Sequence, residues 1–332
     1  QGLASLNPSG LSNPDFSWET NNKYEAALEF SLDKNRISLN VVYYSNSSSN
    51  QLVGYSLPPT AGFSSVLSNL PAIVQNTGVE FELSTVNFKT RTFRWTSSLN
   101  LTLPHNKLVA YPNLAGSSYA NTYVVGKPLN LFKGYELMNV DPQTGVYQFV
   151  DRNGKPTFAP SFPTDYIYTK KLDPYFYGGI QNLVEYNGLQ LDIFFQFVKQ
   201  NGANYLRLFN PPGYLSNQPV FVEQRWQKQG DIADVQKFTQ SYSSGGGAYF
   251  TNQLSSGIIS DASFIRLKNV SISYQLPNKL IRKLKIQGTR IYLKGQNLLT
   301  ITNFKGLDPE IQARSFILPP LKILSAGFQI TF

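Results

Sequence analysis

The closing residues, Leu324-Ser-Ala-Gly-Phe-Gln-Ile-Thr-Phe332, constrain the fold more than any other stretch of the chain. Leu324, Ala326, Phe328, Ile330 and Phe332 alternate with Ser325, Gly327, Gln329 and Thr331. An apolar/polar period of two marks a strand with one greasy face and one wet face. In water, a chain ending on such a half-apolar strand exposes an edge that invites aggregation. A closed barrel in a lipid bilayer removes the difficulty, because the strand pairs on both sides and its apolar face meets lipid. The expected fold is therefore all-β, a transmembrane antiparallel β-barrel of an outer membrane, with Phe332 in the interfacial aromatic girdle.

The rest of the sequence agrees. No run of about 18 apolar residues occurs, so no transmembrane helix is encoded. Mean hydropathy is −0.23, too polar for a helical membrane protein. Transmembrane strands escape hydropathy because every second residue faces a wet lumen. The 20 Tyr and 23 Phe suit side chains that sit half in lipid and half in water. With no cysteine, the 332-residue chain has no disulfide framework, no thiol chemistry and no Cys-ligated metal. The net charge is +9, yet Lys and Arg are scattered rather than clustered. That pattern argues against nucleic acid and for a basic lumen or rim facing anionic lipid or solutes. The chain starts Gln1-Gly-Leu-Ala4, without a start Met or a signal-type segment. Either a leader has been removed or the chain is a piece of something longer.

Alternation places strands along the whole length. Residues 18–32 set Tyr24, Ala26, Leu28, Phe30 and Leu32 on one face, and residues 36–45 return after the turn Asp33-Lys-Asn35. Residues 46–71, rich in Ser, Asn, Gly and Pro, read as a long loop. Strands are expected over residues 77–83 and 92–103. The second alternates Phe93, Trp95, Leu99, Leu101 and Leu103 with a polar face. Residues 104–174 break into short pieces. Residues 175–186 and 189–199 form a hairpin on Asn187-Gly188, the strongest short turn signal there is. Residues 201–260 read as irregular, and strands over 264–274, 289–301 and 322–332 close the chain. The total is about ten or eleven strands, with short turns alternating with long loops as in an up-and-down barrel.

Few residues suggest chemistry. Asp151-Arg-Asn-Gly154 has the start of a calcium loop but lacks the later ligands, and reads as a turn. His105 is the sole histidine and falls in an expected exposed loop. Glu25, Glu29, Glu80 and Glu82 lie on lumen-facing strand positions, where charge is ordinary and a paired-carboxylate mechanism is not implied. Gly245-Gly-Gly247 lacks the Lys-Ser/Thr and the helix of a phosphate cradle and reads as a flexible loop. The loop aromatics Tyr135, Tyr147, Phe158, Tyr166, Tyr168, Tyr214, Trp226 and Tyr242 fit sugar stacking, a grip on a partner lid, or packing of the loops alone. No catalytic, cofactor-binding or metal residue is assigned, no cofactor is expected, and the substrate-contacting residues stay unassigned.

Asp261-Ala-Ser-Phe-Ile-Arg-Leu-Lys-Asn-Val-Ser-Ile-Ser-Tyr-Gln-Leu-Pro277 resembles a signature of the SusC-like TonB-dependent outer-membrane transporters. Arg290-Ile-Tyr-Leu-Lys-Gly-Gln-Asn-Leu-Leu-Thr300, followed by Gly306-Leu-Asp-Pro-Glu310, is similar to their next strand and loop. Asn13-Pro-Asp-Phe-Ser-Trp-Glu19, Asn76-Thr-Gly-Val-Glu80, Arg225-Trp226 and Gly230-Asp231 also match the family's habits. Before the last strand, Pro319-Pro-Leu-Lys322 departs from the family's usual Pro and Arg but keeps the charge. Such proteins form barrels of about twenty-two strands behind a plug domain and a TonB-interacting segment. The resemblance thus implies that residues 1–332 are the C-terminal part of such a barrel, with plug and TonB box outside this chain. An independent small barrel is the alternative geometry.

The resemblance also implies TonB-dependent import of oligosaccharides, or of peptides, beneath a SusD-like surface lipoprotein in the cell outer membrane. TonB would act through the N-terminal part, and catalysis is not expected. The alternative is a SusC-like barrel kept as a scaffold in a larger outer-membrane complex without transport. A soluble β-rich carbohydrate-binding module is the third class, and the terminal strand argues against it.

Overall fold

The computed structural model describes residues 10–240, 244–277, 287–312 and 317–331. Four long strands come first: β1 (Thr20–Leu32), β2 (Ile37–Ser56), β3 (Ser65–Lys89) and β4 (Phe93–Ala110). Short strands follow: β5 (Leu131–Gly134), β6 (Glu136–Val140), β7 (Tyr147–Val150), β8 (Pro156–Thr157) and β9 (Tyr168–Lys171). The hairpin β10 (Phe176–Tyr186) and β11 (Leu189–Lys199) precedes β12 (Asn201–Ala203), helix α1 (Ser244–Asn252) and β13 (Ile259–Asp261). The last strands are β14 (Phe264–Gln275), β15 (Gly288–Thr302) and β16 (Ile323–Thr331). Nine strands form one sheet in the order β1-β2-β3-β4-β10-β11-β14-β15-β16. The β10–β11, β10–β4, β11–β14, β14–β15 and β15–β16 ladders are all antiparallel.

The tight turns form where the sequence demands them. Asp33, Lys34 and Asn35 all take positive φ (49°, 52° and 67°), and the Arg36 N–H closes the turn on the Leu32 carbonyl at 3.0 Å. Asn187 and Gly188 take φ of 48° and 87°, as a two-residue hairpin turn requires. These connections, together with residues 90–92, lie at one end of the strands. Within the second unit, the connections from β11 to β14 and from β15 to β16 leave the strands at the other end.

Residues group into two compact units, and β1, β2, β3 and β4 contribute to both. The first comprises Gln1–Ala26, Val42–Val79 and Pro104–Leu131. Its core is Ala72, Val74, Leu108 and Tyr111, with Tyr119 and Tyr123 packed against it and stacked 5.4 Å apart. Gly78 gives the Tyr44 ring its place, since a Cβ there would stand 2.5 Å from the Tyr44 hydroxyl and the ring would have to shift.

This unit corrects the expected loop over residues 46–71. β2 runs on to Ser56 and β3 begins at Ser65, so only residues 57–64 connect them. A strand beyond the apolar band needs no greasy face. Here polar side chains serve it: Asn69 Nδ2 donates to the carbonyls of Ser17 (2.8 Å) and Asn50 (2.9 Å). β4 likewise continues through Pro104 and His105, so His105 is exposed on a strand and not in a loop.

The second unit comprises Ala27–Val41, Glu80–Leu103 and Phe132–Phe332. Its registers separate two faces. Trp95, Val184, Leu191, Ile272, Leu293 and Ala326 form one row across six strands. Tyr186, Leu189, Tyr274, Ile291 and Phe328 form another, nearer the tight turns. Ile272, Leu293 and Phe328 are exposed, so this apolar face is built for lipid and not for a protein core. The residues that alternate with them, Gln190, Asp192, Ser271, Ser273, Arg290 and Lys294, line the wet face.

Nine strands in the main sheet, among the described residues, stand beside the expected ten or eleven. The short pieces after β4 pair separately as β5-β9, β6-β7-β8 and β12-β13. Gly245-Gly-Gly247 is a second correction, because it lies inside α1. Ala248 and Tyr249 on that helix are buried in a core, and tertiary packing outweighs the poor helix propensity of glycine.

Candidate functional site

The wet face of the second unit is a wall of paired polar side chains. Gln181 Nε2 donates to both carboxylate oxygens of Asp192 (2.9 and 3.1 Å), and Arg94 meets Glu185 at 3.9 Å. Arg290 Nη2 donates to Gln190 Oε1 and Ser273 Oγ, each at 2.7 Å. Near the tight turns, Lys89, Arg91, Arg94 and Arg290, with Glu185, line a recess of about 490 Å³. The excess of cations draws anionic groups toward this end. A second recess of about 440 Å³ is lined by Glu29 and Glu82 among Ser31, Ser38, Asn40 and Ser84. Glu29, Glu80 and Glu82 are exposed, as solvated lumen positions should be.

At the long-loop end the connections fold into a lobe with its own core: Tyr135, Val140, Val146, Tyr147, Phe149, Ala248 and Tyr249. Arg225-Trp226 and Gly230-Asp231 serve this lobe. Trp226 lies on Gly145, where a Cβ would come within 2.4 Å of the indole, and its Nε1 donates to the Pro142 carbonyl at 2.9 Å. Asp231 Oδ2 accepts the N–H groups of Lys228 (3.0 Å) and Gln227 (3.1 Å), which hold its carboxyl below the usual range.

Asp141 and Asp151 repeat the device. The Thr144 hydroxyl is the main cause of the depressed Asp141 carboxyl, and the Lys155 N–H that of Asp151. Asp151-Arg-Asn-Gly154 is thus a turn, with Gly154 at φ 77°, as expected. Burial pushes the Tyr147 and Tyr249 phenols up, which keeps both neutral.

Arg266 ties loop to wall. Its side chain is 1% exposed on β14, where Nη2 meets Asp308 Oδ2 at 2.5 Å and Nη1 meets Glu310 Oε2 at 2.6 Å. Nε donates to Thr300 Oγ1 on β15 at 3.0 Å. Asp308 Oδ1 accepts the Glu310 N–H at 2.9 Å, and Gln200 Nε2 donates to the Pro309 carbonyl at 3.1 Å. Arg266 and the Gly306–Glu310 segment each belong to a signature quoted above. Nothing local signals that they meet, except that Arg266 interrupts apolar neighbours and two acids flank Pro309.

Most of the loop aromatics pack the loops. Tyr147 is fully buried, Tyr135 nearly so, and Tyr166 and Trp226 lie against the same core. Tyr168 contacts Phe132 at 6.3 Å, while Phe158 remains exposed. Tyr242 and Phe332 lie outside the described residues. Among the described residues, no three His, Cys, Asp or Glu side chains gather as metal ligands would.

A lipid-facing antiparallel sheet with a charged inner wall and a packed loop lobe is the architecture of a membrane β-barrel wall. The family described as TonB dependent receptor-like, beta-barrel, matches residues 2–298, and the chain belongs to it. It is similar to TonB-dependent receptor P26 of Formosa agariphila, 27% identical over 90% of this chain and 32% of that protein. It is also similar to TonB-dependent receptor SusC of Bacteroides thetaiotaomicron, 26% identical over 91% of this chain and 30% of that protein. Among solved structures, that of the RagAB peptide transporter superposes with a TM-score of 0.80 at 27% identity, covering 98% of this chain and 36% of that one. The chain thus spans about a third of the length of these relatives.

Proposed function

We propose that residues 1–332 are the C-terminal barrel wall of a TonB-dependent outer-membrane importer. Plug domain and TonB box would lie on polypeptide outside this segment. The observation that carries the reading is the two-faced sheet of the second unit, lipid-apolar outside and charge-lined inside, in a chain of the TonB-dependent receptor-like family. The cargo is an oligosaccharide or a peptide, captured with a SusD-like surface lipoprotein over the loop lobe. Peptide is favoured, because Tyr135, Tyr147, Tyr166 and Trp226, which could have stacked on sugar rings, are spent in the lobe core. The wall instead offers cationic and anionic groups in separate recesses, which suit the charges of a peptide. The RagAB relative is described as a peptide transporter, which supports the same choice.

The test is uptake of labelled oligopeptides and oligosaccharides by cells carrying or lacking the full-length receptor, with and without the proton gradient. Gradient-dependent peptide uptake through the receptor is expected. Uptake of neither cargo, with stable copurification of non-lipoprotein partners, would favour the scaffold reading.

A further inference from the structure

The long-loop end of the lipid-facing surface carries an apolar groove. Register places Phe197 of β11, Ile265 of β14 and Ile301 of β15 side by side on the bilayer face. Phe176 of β10 pairs with Lys199 of β11, two residues beyond Phe197 and therefore on the same face. Phe176 and Phe197 meet edge to face at 6.3 Å. Together these side chains line a predominantly apolar cavity of about 370 Å³, within the range of small-ligand sites. Lys199 and Asp261 stand at its long-loop end, the headgroup level of the outer leaflet if long loops face outward.

The two charges are not equivalent. Asp261 is committed: it accepts Lys199 Nζ at 2.8 Å, the Ser263 N–H at 2.9 Å and the Ser263 hydroxyl. Lys199 Nζ makes that single side-chain bond among the described residues, and an ammonium has three donors. The groove thus ends in an ammonium with donors to spare, held in place by its own carboxylate. We propose that this groove binds a phosphate-bearing lipid of the outer leaflet, its acyl chain along Phe197, Ile265 and Ile301 and its phosphate on Lys199. The strands involved are interior to the sheet, so both walls of the groove belong to this chain. The inference rests on the membrane placement of the sheet and not on the cargo.

The chain has no cysteine, so Ile301→Cys gives one labelling position here, with any cysteine elsewhere in the full-length receptor changed to serine. Ile301 is 59% exposed and carries a fluorophore at the groove's edge. The receptor is reconstituted in phosphatidylcholine vesicles in which a minor fraction of lipid is brominated phosphatidylglycerol or, in parallel, brominated phosphatidylcholine. Brominated phosphatidylglycerol should associate at residue 301 about three- to fivefold more strongly, the preference expected of one lysine near an anionic surface. Lys199→Gln should abolish that preference and Lys199→Arg should keep it, each in protein that still shows heat-modifiable migration. A label at Leu293→Cys, on the same face nearer the tight turns, should be quenched equally by both lipids.

Equal quenching at residue 301, or a preference that survives Lys199→Gln, overturns the site. A label at residue 301 shielded from both lipids while residue 293 is quenched also overturns it, and points to a protein partner on the groove. Absence of quenching at residue 293 as well removes the membrane placement itself, a failure distinct from any result of the uptake experiment.

Discussion

Arg266 illustrates how one residue can carry a loop. Its guanidinium is buried and satisfied by Asp308, Glu310 and Thr300, so removing a partner strands a charge. Truncating one member of a buried pair costs about 3–5 kcal/mol. Asp308→Ala should fall in that range, measured as a drop in the unfolding midpoint of the reconstituted receptor, with faster proteolysis of residues 303–312. Glu310→Ala should cost well under half as much, because Glu310 is 41% exposed and water can take its place. Equal effects would mean that the clamp works through loop shape and not through buried charge.

The lobe carboxylates make a second expectation at this scale. Asp141, Asp151 and Asp231 have folded pKa values below the ordinary 3.8, from Thr144, the Lys155 N–H and the Lys228 N–H respectively. A depressed carboxyl stabilises the fold fully above its unfolded pKa, and that contribution is lost as pH falls through the lower folded value. Amide exchange in residues 141–155 should therefore stay flat from neutrality down to about pH 4, after correction for intrinsic rates, and quicken only below it. Quickening already near pH 6 would exclude these groups as the cause.

At the scale of the element, β4 tests which face meets lipid. Leu99 pairs with Ile180 and Leu101 with Gly178, while Ser98 pairs with Gln181 and Asn100 with Gly179. Leu99→Arg should cost about 2–4 kcal/mol near the bilayer midplane, and Ser98→Arg should be tolerated in the lumen. Folding yields into liposomes measure both, and equal yields would reverse or blur the faces. The apolar face is not wholly apolar. Ser97 Oγ (2.6 Å) and Trp95 Nε1 (3.1 Å) both donate to Asn182 Oδ1 across the β4–β10 ladder. Asn182→Ala leaves two donors facing lipid and should cost about 1–3 kcal/mol, read from the same yields.

What was legible in the sequence follows from this periodicity. Where one face needs lipid, as in β4, β11 and β16, alternation marks the strand and its face. Where strands extend past the apolar band, as in β2 beyond Ser45 and β3 before Thr77, the ladder persists without alternation, and Ser and Asn look like loop. Positions 245–247 misled because a packed tyrosine outweighs three glycines. The Arg266 clamp escaped because 42 and 44 residues separate Arg266 from its two ion-pair partners, and pairing at that distance leaves no local pattern. Asn187-Gly188 and Asp33-Lys-Asn35 were legible because turn chemistry is local.

For the whole molecule the decisive feature is the pair of edges. The sheet starts at β1 and finishes at β16, and no ladder joins the two among the described residues. Every residue of β1 is exposed, as are all of β16 except Gly327. About half the backbone groups of an edge strand point away from its single neighbour, and each left unpaired in hydrocarbon costs several kcal/mol. Over the 9 residues of β16 the sum reaches roughly tens of kcal/mol, beyond the 5–15 kcal/mol that ordinarily holds a fold together. Residues 1–332 expressed alone should therefore fail to give a closed monomeric barrel and should aggregate or pair edge to edge. The full-length receptor, whose remaining strands would supply partners for β1 and β16, should migrate faster unheated than boiled, as folded barrels do. Supplying in trans the polypeptide that would carry those strands should restore that band to residues 1–332, because strand pairing needs proximity and not chain continuity. A heat-modifiable, protease-resistant monomer from residues 1–332 alone would show that β1 and β16 can pair with each other, and would make this chain a small barrel in its own right.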